Sequence, residues 1–278
     1  MRFSLIMATV GRTSEPERFL ASLSAQSYRD FELIVVDQNA DDRLVPLVRS
    51  YEDEFSITHM RERMRGASRA RNIGMEYASG DILAFPDDDC WYPPDLLGKV
   101  AQAFVHHPEL DGLTGRLTDG YGHTVMGRFD LRPGRIEVSN VWVRGIEATT
   151  FLRRARLQDR RFDESLGLGA GTMWGGGEVT DLLLGLLADG QLLYYYPDTI
   201  IGHPPFTRLY DAKASRKAYF YACGMGHVLR MRKTPLRYKA KWLIRPLGGT
   251  VLFIMALKPA RARYHFNIFR GRLRGMLS

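Results

Sequence analysis

The sequence predicts an α/β protein, with a sheet of mostly parallel strands and helices on both faces. Short apolar runs alternate with stretches of helical period over the first 110 residues, an order that builds βαβ units. The runs are continuously apolar rather than alternating, as strands covered on both faces are. The first, second and fourth runs end in polar residues: Thr9 and Arg12, Asp37 and Gln38, and Asp87-Asp88-Asp89. In an open α/β sheet such carboxyl ends line one ligand crevice.

Phe3 to Val10 reads as a buried strand. Ser14 and Glu17 have capping-box spacing and Pro16 falls in the first turn, so a helix follows with Phe19, Leu20 and Leu23 inward. Phe31–Asp37 is the second strand, and Arg43 to Tyr51 a helix with Leu44, Leu47 and Val48 inward. Ser56 to His59 gives a short strand. Ala67 to Ala78 is helical, with Gly80 placed to cap it. Asp81 to Phe85 is a strand that delivers the three acids. A helix runs from Pro93-Pro94 to about His107, then a strand from Leu110 to Thr118 and a turn at Asp119–Gly122. Residues 124–150 alternate more weakly, and Val138 to Thr149 reads as strands at the rim of the site. A glycine-rich loop spans Gly169 to Gly177. Glu178 then opens a helix with Leu182, Leu183, Leu186 and Leu187 on one face. Leu192–Tyr196 and Thr199–Gly202 read as two strands, and Lys213–Met231 as a helix.

The 278 residues suit one large domain, or one domain with an appendage. Cys90 and Cys223 are the only cysteines, too few for a disulfide framework or a thiolate metal site, and compatible with a reducing compartment. Charge divides the chain. Residues 212–278 hold 16 of the 39 Lys and Arg and no acid, leaving 23 basic against 31 acidic residues, a net −8, in residues 1–211. That asymmetry calls for an anionic partner, nucleic acid or membrane surface. The apolar run Leu247–Leu257 is shorter than the roughly 20 residues that span a bilayer. A basic amphipathic segment in the membrane interface, or a helical cap with its basic face to water, fits it instead.

Three adjacent carboxylates repel one another unless a cation or donors hold them. Hard divalent cations take oxygen ligands, commonly one or two carboxylates plus substrate phosphates. The loop therefore reads as a metal–diphosphate site, with a solvated acidic turn as the plainer alternative.

In this order and spacing the residues resemble family 2 glycosyltransferases of the GT-A fold, over roughly residues 3–205. The carriers are Thr9; Leu33–Asp37 with Asn39 and Asp42; Gly66–Gly74; Ala78–Ile82; Phe85–Asp89; Phe162-Asp163-Glu164; Gly177-Glu178 with Asp181-Leu182-Leu183; and His203. The resemblance implies a mixed Rossmann-like sheet in a GT-A domain over residues 1–210, and the charge and pattern of residues 211–278 read as a basic helical C-terminal region beyond it. It also implies single-displacement inverting transfer from a nucleotide-diphospho-sugar, with Mn²⁺ or Mg²⁺. By that resemblance Thr9, Arg12, Asp37 and Gln38 hold the nucleoside. A carboxylate such as Asp37 suits a uracil or thymine N–H and ribose hydroxyls, which favours a UDP- or dTDP-sugar over a GDP-sugar. Arg71 meets the diphosphate. Asp88 ligates the metal with His203, and Asp87 and Asp89 border the ribose and sugar. Glu178 or Asp181 is the base that takes the acceptor's proton.

This chain departs from many relatives in having Val179 after Glu178, which leaves the base open between Glu178 and Asp181, and in having Gln38 where a second Asp is frequent. The Gln-x-x-Arg-Trp signature of processive relatives is absent, so one sugar per encounter is expected. The expected acceptor is a saccharide or lipid-linked saccharide of a cell-surface or exopolysaccharide. The expected location is cytoplasmic, peripheral at the inner face of the cell membrane. A sugar-phosphate nucleotidyltransferase would need a glycine-rich phosphate loop after the first strand, which Thr9-Val10-Gly11-Arg12 does not supply. A nucleic-acid-binding protein using the basic tail lacks any accompanying motif. A donor-binding relative without catalysis is the remaining alternative.

Overall fold

The computed structural model describes residues 1–205 and 210–278. Among these, strands β1 (Phe3–Thr9), β2 (Phe31–Asp37), β3 (Ser56–Arg61), β4 (Ile82–Ala84), β5 (Gly112–Thr118), β6 (Gly134–Arg135), β7 (Thr150–Arg153) and β8 (Leu193–Gly202) form one sheet. Its order is β3-β2-β1-β4-β7-β5-β8-β6. β1 to β4 run parallel. β7 is antiparallel to both β4 and β5, β8 is parallel to β5, and β6 is antiparallel to β8. The sheet is therefore mixed, as the family resemblance implies.

The helices are α1 (Ser14–Ser24), α2 (Val45–Arg49), α3 (Ala67–Tyr77), α4 (Leu96–His106), α5 (Val141–Arg144), α6 (Arg154–Leu157), α7 (Glu178–Ala188), α8 (Ala212–Met231), α9 (Leu236–Met255) and α10 (Pro259–Leu277). The chain divides into two compact units: residues 1–65, 70–161 and 186–205 in one, and 66–69, 162–185 and 210–278 in the other. The residues of the expected boundary at 210 that fall in 206–209 lie outside the described residues.

The core of the first unit is built by the continuously apolar strands. Phe3, Leu5, Leu33, Val35, Ile82 and Phe151 are fully or nearly fully buried beside Phe19, Leu23, Leu97 and Phe104 of the helices. Gly74 lets α3 lie close to β1, since a Cβ there would come within 2.3 Å of Ile6 Cγ2. The core of the second unit includes Val179, Leu182, Leu183, Cys223, Val228 and Leu229. Its helices meet at glycines: a Cβ on Gly271 or Gly275 of α10 would strike the Tyr219 or Cys223 carbonyl of α8.

Several elements differ from the sequence reading. Ser14 does not cap α1. Thr13 is the cap residue, and its carbonyl accepts from Glu17 N at 3.0 Å, while Ser14 donates to Glu15. Gly80 is not a left-handed cap; its missing side chain makes room for β1, since a Cβ there would lie 2.7 Å from Ser4 N. Residues 138–149 are not strands. Glu137 O accepts from Asn140 N and Val141 N, so the segment closes on itself as a turn of helix. The two strands expected around Pro197-Asp198 are one, β8, with a register shift opposite Gly115. Pro197 falls at that irregularity, where no ladder donor is required.

Candidate active site

The acidic loop is the point where the elements of the first unit converge. β4 is short, and the chain beyond it stays beside β1 through an isolated parallel bridge between Ala8 and Asp87. Trp91 then pairs with Gly202 at the end of β8, each donating its N–H to the other's carbonyl at 2.9 Å. These contacts fix Asp87, Asp88 and Asp89 between the ends of β1 and β8.

Each acid has a different environment. Asp88 is 8% exposed. It accepts from Thr9 Oγ1 at 2.7 Å and from Arg12 Nη1 at 2.6 Å, one donor on each oxygen. Asp89 shares the Arg12 guanidinium at 2.8 Å on Oδ2, and its Oδ1 lies 3.5 Å from His203 Nε2. Asp87 faces the buried Arg71 at 3.3 Å. Asp37, fully buried, accepts from Asn39 N and Nδ2 at 2.8 Å and contacts His59 Nε2 at 3.1 Å. Gln38 Nε2 donates to Met64 O at 2.6 Å. The structure thus brings Thr9, Arg12, Arg71, Asp87, Asp88, Asp89 and His203 together, with Asp37 and Gln38 at the end of β2 beside β1.

Electrostatics favour a cation here. Asp87 keeps 37% of its side chain exposed, yet the protein packed around it pushes its carboxyl up to about 6, against the pull of Arg71. Burial also pushes Asp88 up to about 6, opposed by Thr9 and Arg12. Raised carboxyls in a cluster mark a place where negative charge lacks compensation. Asp87, Asp89 and Cys90 place potential ligand atoms within 4.8 Å of one another. Burial drives the Cys90 thiol well above its ordinary value. It therefore keeps its proton and is a poor ligand for a hard ion.

His203 supplies the test of fit. Its Nδ1 lies 2.7 Å from the Pro204 carbonyl, which can only accept. The proton therefore sits on Nδ1, and in the neutral ring Nε2 turns a lone pair towards Asp89 Oδ1. Two lone pairs facing each other are satisfied by a shared cation, and a ligating histidine held through its other ring nitrogen is a common metal arrangement. Asp89 and His203, with Asp87 beside them, fit Mn²⁺ or Mg²⁺. Asp88, the ligand expected from sequence, has both oxygens already engaged.

In the second unit, left-handed backbone at Gly167, Gly169, Gly171 and Gly177 shapes the loop before α7. A Cβ on Gly167 would lie 2.8 Å from Glu178 Oε1, so this glycine makes room for the carboxylate. Glu178 and Asp181 are both buried on the first turn of α7. Asp181 is held by Arg232, whose Nε and Nη2 each donate at 2.6 Å to a different oxygen. Trp174 stacks on His227 at 3.6 Å between ring centroids.

Sequence reasoning missed His59, Arg232, Trp174 and His227. His59 sits on a strand whose only visible signal was its apolar neighbours. His227 lies on α8 and Arg232 caps its C-terminal end, with no motif at either. Asn39, by contrast, stands in the quoted pattern and binds both Asp37 and Gly11.

A mixed sheet in this order, with an acidic loop at the end of its fourth strand, defines the chain as a GT-A-type protein. It belongs to glycosyl transferase family 2, whose model matches residues 4–175. It is 35% identical over 109 residues, 39% of the chain, to an uncharacterized glycosyltransferase of Haemophilus influenzae. It is 29% identical over 201 residues, 69% of the chain, to the succinoglycan biosynthesis protein ExoM of Rhizobium meliloti. The matched stretch spans 36% of the first and 62% of the second. Among solved structures, S. aureus TarS with UDP-GlcNAc superposes with a TM-score of 0.64 at 16% identity, covering 98% of this chain and 91% of that one. The mannosyltransferase PcManGT of Pyrobaculum calidifontis, with GDP-Man and Mn²⁺, gives 0.64 at 16%, covering 98% and 87%.

Proposed function

We propose that this chain is a metal-dependent glycosyltransferase. It would move one sugar from a nucleotide-diphospho-sugar to an acceptor hydroxyl, in assembly of a surface or exported polysaccharide. The observation that carries the reading is the convergence of Thr9, Arg12, Arg71 and His203 on three successive carboxylates at the carboxyl edge of the parallel strands. Family membership, the name of ExoM, and the nucleotide sugars bound to TarS and PcManGT support it.

The residues divide the work as follows. Asp89 and His203 hold the cation, with Asp87 beside them. A divalent cation, when bound, offsets the charge of the leaving nucleoside diphosphate. Asp88 is a positioning residue: it locks Arg12 against the loop, and Arg12 in turn orients Asp89. Arg71 presents a guanidinium to the diphosphate. Asp37, oriented by Asn39 and His59, accepts from the nucleoside, and UDP- or dTDP-sugars are proposed as donors ahead of GDP-sugars.

Of the two candidate bases, Glu178 is assigned to the acceptor proton. It takes that proton as the hydroxyl oxygen bonds to the anomeric carbon, and the sugar–phosphate bond breaks on the opposite face with inversion. Asp181 is unsuited, because its carboxylate is committed to Arg232 through both oxygens.

Among the described residues no helix is long and apolar enough to cross a membrane. Helix α9 nonetheless exposes Ile244, Val251, Leu252, Ile254 and Met255, and the turn after it Leu257. We place them on an anionic membrane surface, where a lipid-linked acceptor would be met.

The test is a screen of UDP-, dTDP- and GDP-sugars for hydrolysis and binding, with and without Mn²⁺. Turnover of one donor that depends on the metal is expected. Failure of every donor to bind would remove the reading.

A further inference from the structure

Beyond the donor site, the second unit carries a groove between α8 and α10, of about 360 Å³, lined by Ser215, Arg216, Tyr219, Arg263, Asn267 and Arg270. We propose that it binds the phosphoryl group of an anionic ligand, a phosphomonoester or diphosphate.

The groove is a consequence of how the two helices pack. Gly271 approaches the Tyr219 carbonyl and Gly275 the Cys223 carbonyl, so the numbers rise together and the helices run parallel. Towards their C-terminal ends the backbones touch through these glycines. Towards their N-terminal ends the same stripes carry Ser215, Arg216 and Tyr219 on α8 and Arg263, Asn267 and Arg270 on α10. There the groove lies between the larger side chains. The α10 dipole points its uncapped positive end to this side, while Asp211 caps that of α8.

Positive charge dominates the groove, the nearest acid in sequence being Asp211, whose carboxylate caps α8 by accepting from Ala214 N at 2.7 Å. Residues 212–278 contain no Asp or Glu. Among the described residues, no carboxylate lies within ion-pair distance of Arg216, Arg263 or Arg270. Three guanidinia around one groove repel each other unless an anion joins them. Ser215 supplies the second, independent observation. It is 2% exposed, it lines the groove, and its hydroxyl has no hydrogen-bond partner. A buried hydroxyl without a partner costs stability until a ligand accepts from it. Arginine forks, a hydroxyl and the Asn267 amide together match the acceptor-only oxygens of a phosphoryl group. The donor residues of the first unit contribute nothing to this groove, so it is a second anion site. If the acceptor is lipid-linked, as proposed above, its diphosphate has the right chemistry, but the inference stands without that reading.

The experiment is calorimetry on the full chain in EDTA, which disables metal-dependent binding at the acidic loop. The probes are inorganic phosphate, inorganic diphosphate and monomeric dihexanoyl phosphatidic acid. The variants are Arg216→Ala with Arg270→Ala, Ser215→Ala alone, and a control, Arg237→Ala with Lys241→Ala, which removes the same charge from α9. Each variant is checked for unchanged thermal unfolding. Wild type is expected to bind at least one probe, with affinity reduced about tenfold or more in the double arginine variant, reduced in Ser215→Ala, and retained in the control. Binding of the inorganic probes identifies free phosphate as sufficient; binding of the lipid phosphate alone identifies a headgroup. No binding of any probe, equal loss in the control, or undiminished binding in the arginine variant would each overturn the site. UDP-sugar binding with Mn²⁺, measured on the same preparations, separates failure of the groove from failure of the glycosyltransferase reading.

Discussion

Glu32 shows how a single buried acid is stabilised in this fold. Burial opposes its ionisation, but hydrogen bonds from Ser4 and Ser79 and the charge of Arg2 outweigh it and hold the carboxyl below its ordinary value. The folded state therefore binds its proton less tightly than the unfolded chain. The resulting stabilisation is complete above the ordinary value of 4.5 and is lost as pH falls through the lowered one. Glu32→Gln is expected to cost about 1–3 kcal/mol at neutral pH and to flatten the acid limb of a stability–pH profile. An unchanged acid limb would show that Glu32 is not the group responsible. At the acidic loop, Asp88→Asn removes the anchor of Arg12 and is expected to weaken donor binding while leaving some metal dependence. Asp89→Asn is expected to remove the metal dependence itself. Measuring Mn²⁺ titrations of the two variants side by side distinguishes a positioning acid from a ligand. These roles were only half legible in the sequence. Three adjacent acids after a buried strand announce a site, but which oxygen is free depends on Arg12 and Thr9, whose contacts no spacing encodes.

Among the elements, α7 depends on α8 as much as on its own sequence. The Asp181–Arg232 pair joins them with two hydrogen bonds of 2.6 Å, and Gly224 of α8 lies so close to Gly176 O that a Cβ there would be 1.9 Å away. Gly224→Ala is expected to destabilise by about 1–3 kcal/mol through forced separation of helix and loop, read as a lowered thermal midpoint. Arg232→Met is expected to lower stability, leaving the pH profile of turnover in place if Glu178 is the base. Glu178→Gln is expected to abolish turnover with donor affinity retained. Loss of the profile in the Arg232 variant would transfer the role to Asp181. The strands β1 to β5 and the helices α1, α3, α4, α7 and α8 were readable from apolar period, whereas α9 and α10 were expected only as a basic helical region without bounds. The antiparallel β7, the turn at 138–149 and the continuity of β8 were not readable. β7 and the continuity of β8 depend on hydrogen bonds between residues distant in sequence, such as Arg153 N to Asp111 O at 2.8 Å, and the turn at 138–149 on local bonds to Glu137 O that no periodic pattern marks.

For the molecule as a whole, charge asymmetry was visible from the first count, and the structure adds an apolar surface to it. The residues exposed along α9 and the turn after it, Ile244 to Leu257, stand among lysines and arginines with no acid. Co-sedimentation with phosphatidylglycerol vesicles is expected at low salt, weaker at high salt, and weaker again in Leu252→Asp with Ile254→Asp. Equal recovery with neutral vesicles, or none with anionic ones, would count against membrane docking. The central claim is that the loop of Asp87, Asp88 and Asp89 is a metal–diphosphate site for a nucleotide sugar. Its most direct test is calorimetric titration of UDP-sugars into the wild-type chain and Asp89→Asn, each with and without Mn²⁺. The account predicts binding by the wild type that strengthens about tenfold or more with Mn²⁺, and no such strengthening in Asp89→Asn. Equal Mn²⁺ dependence in the two proteins would contradict it.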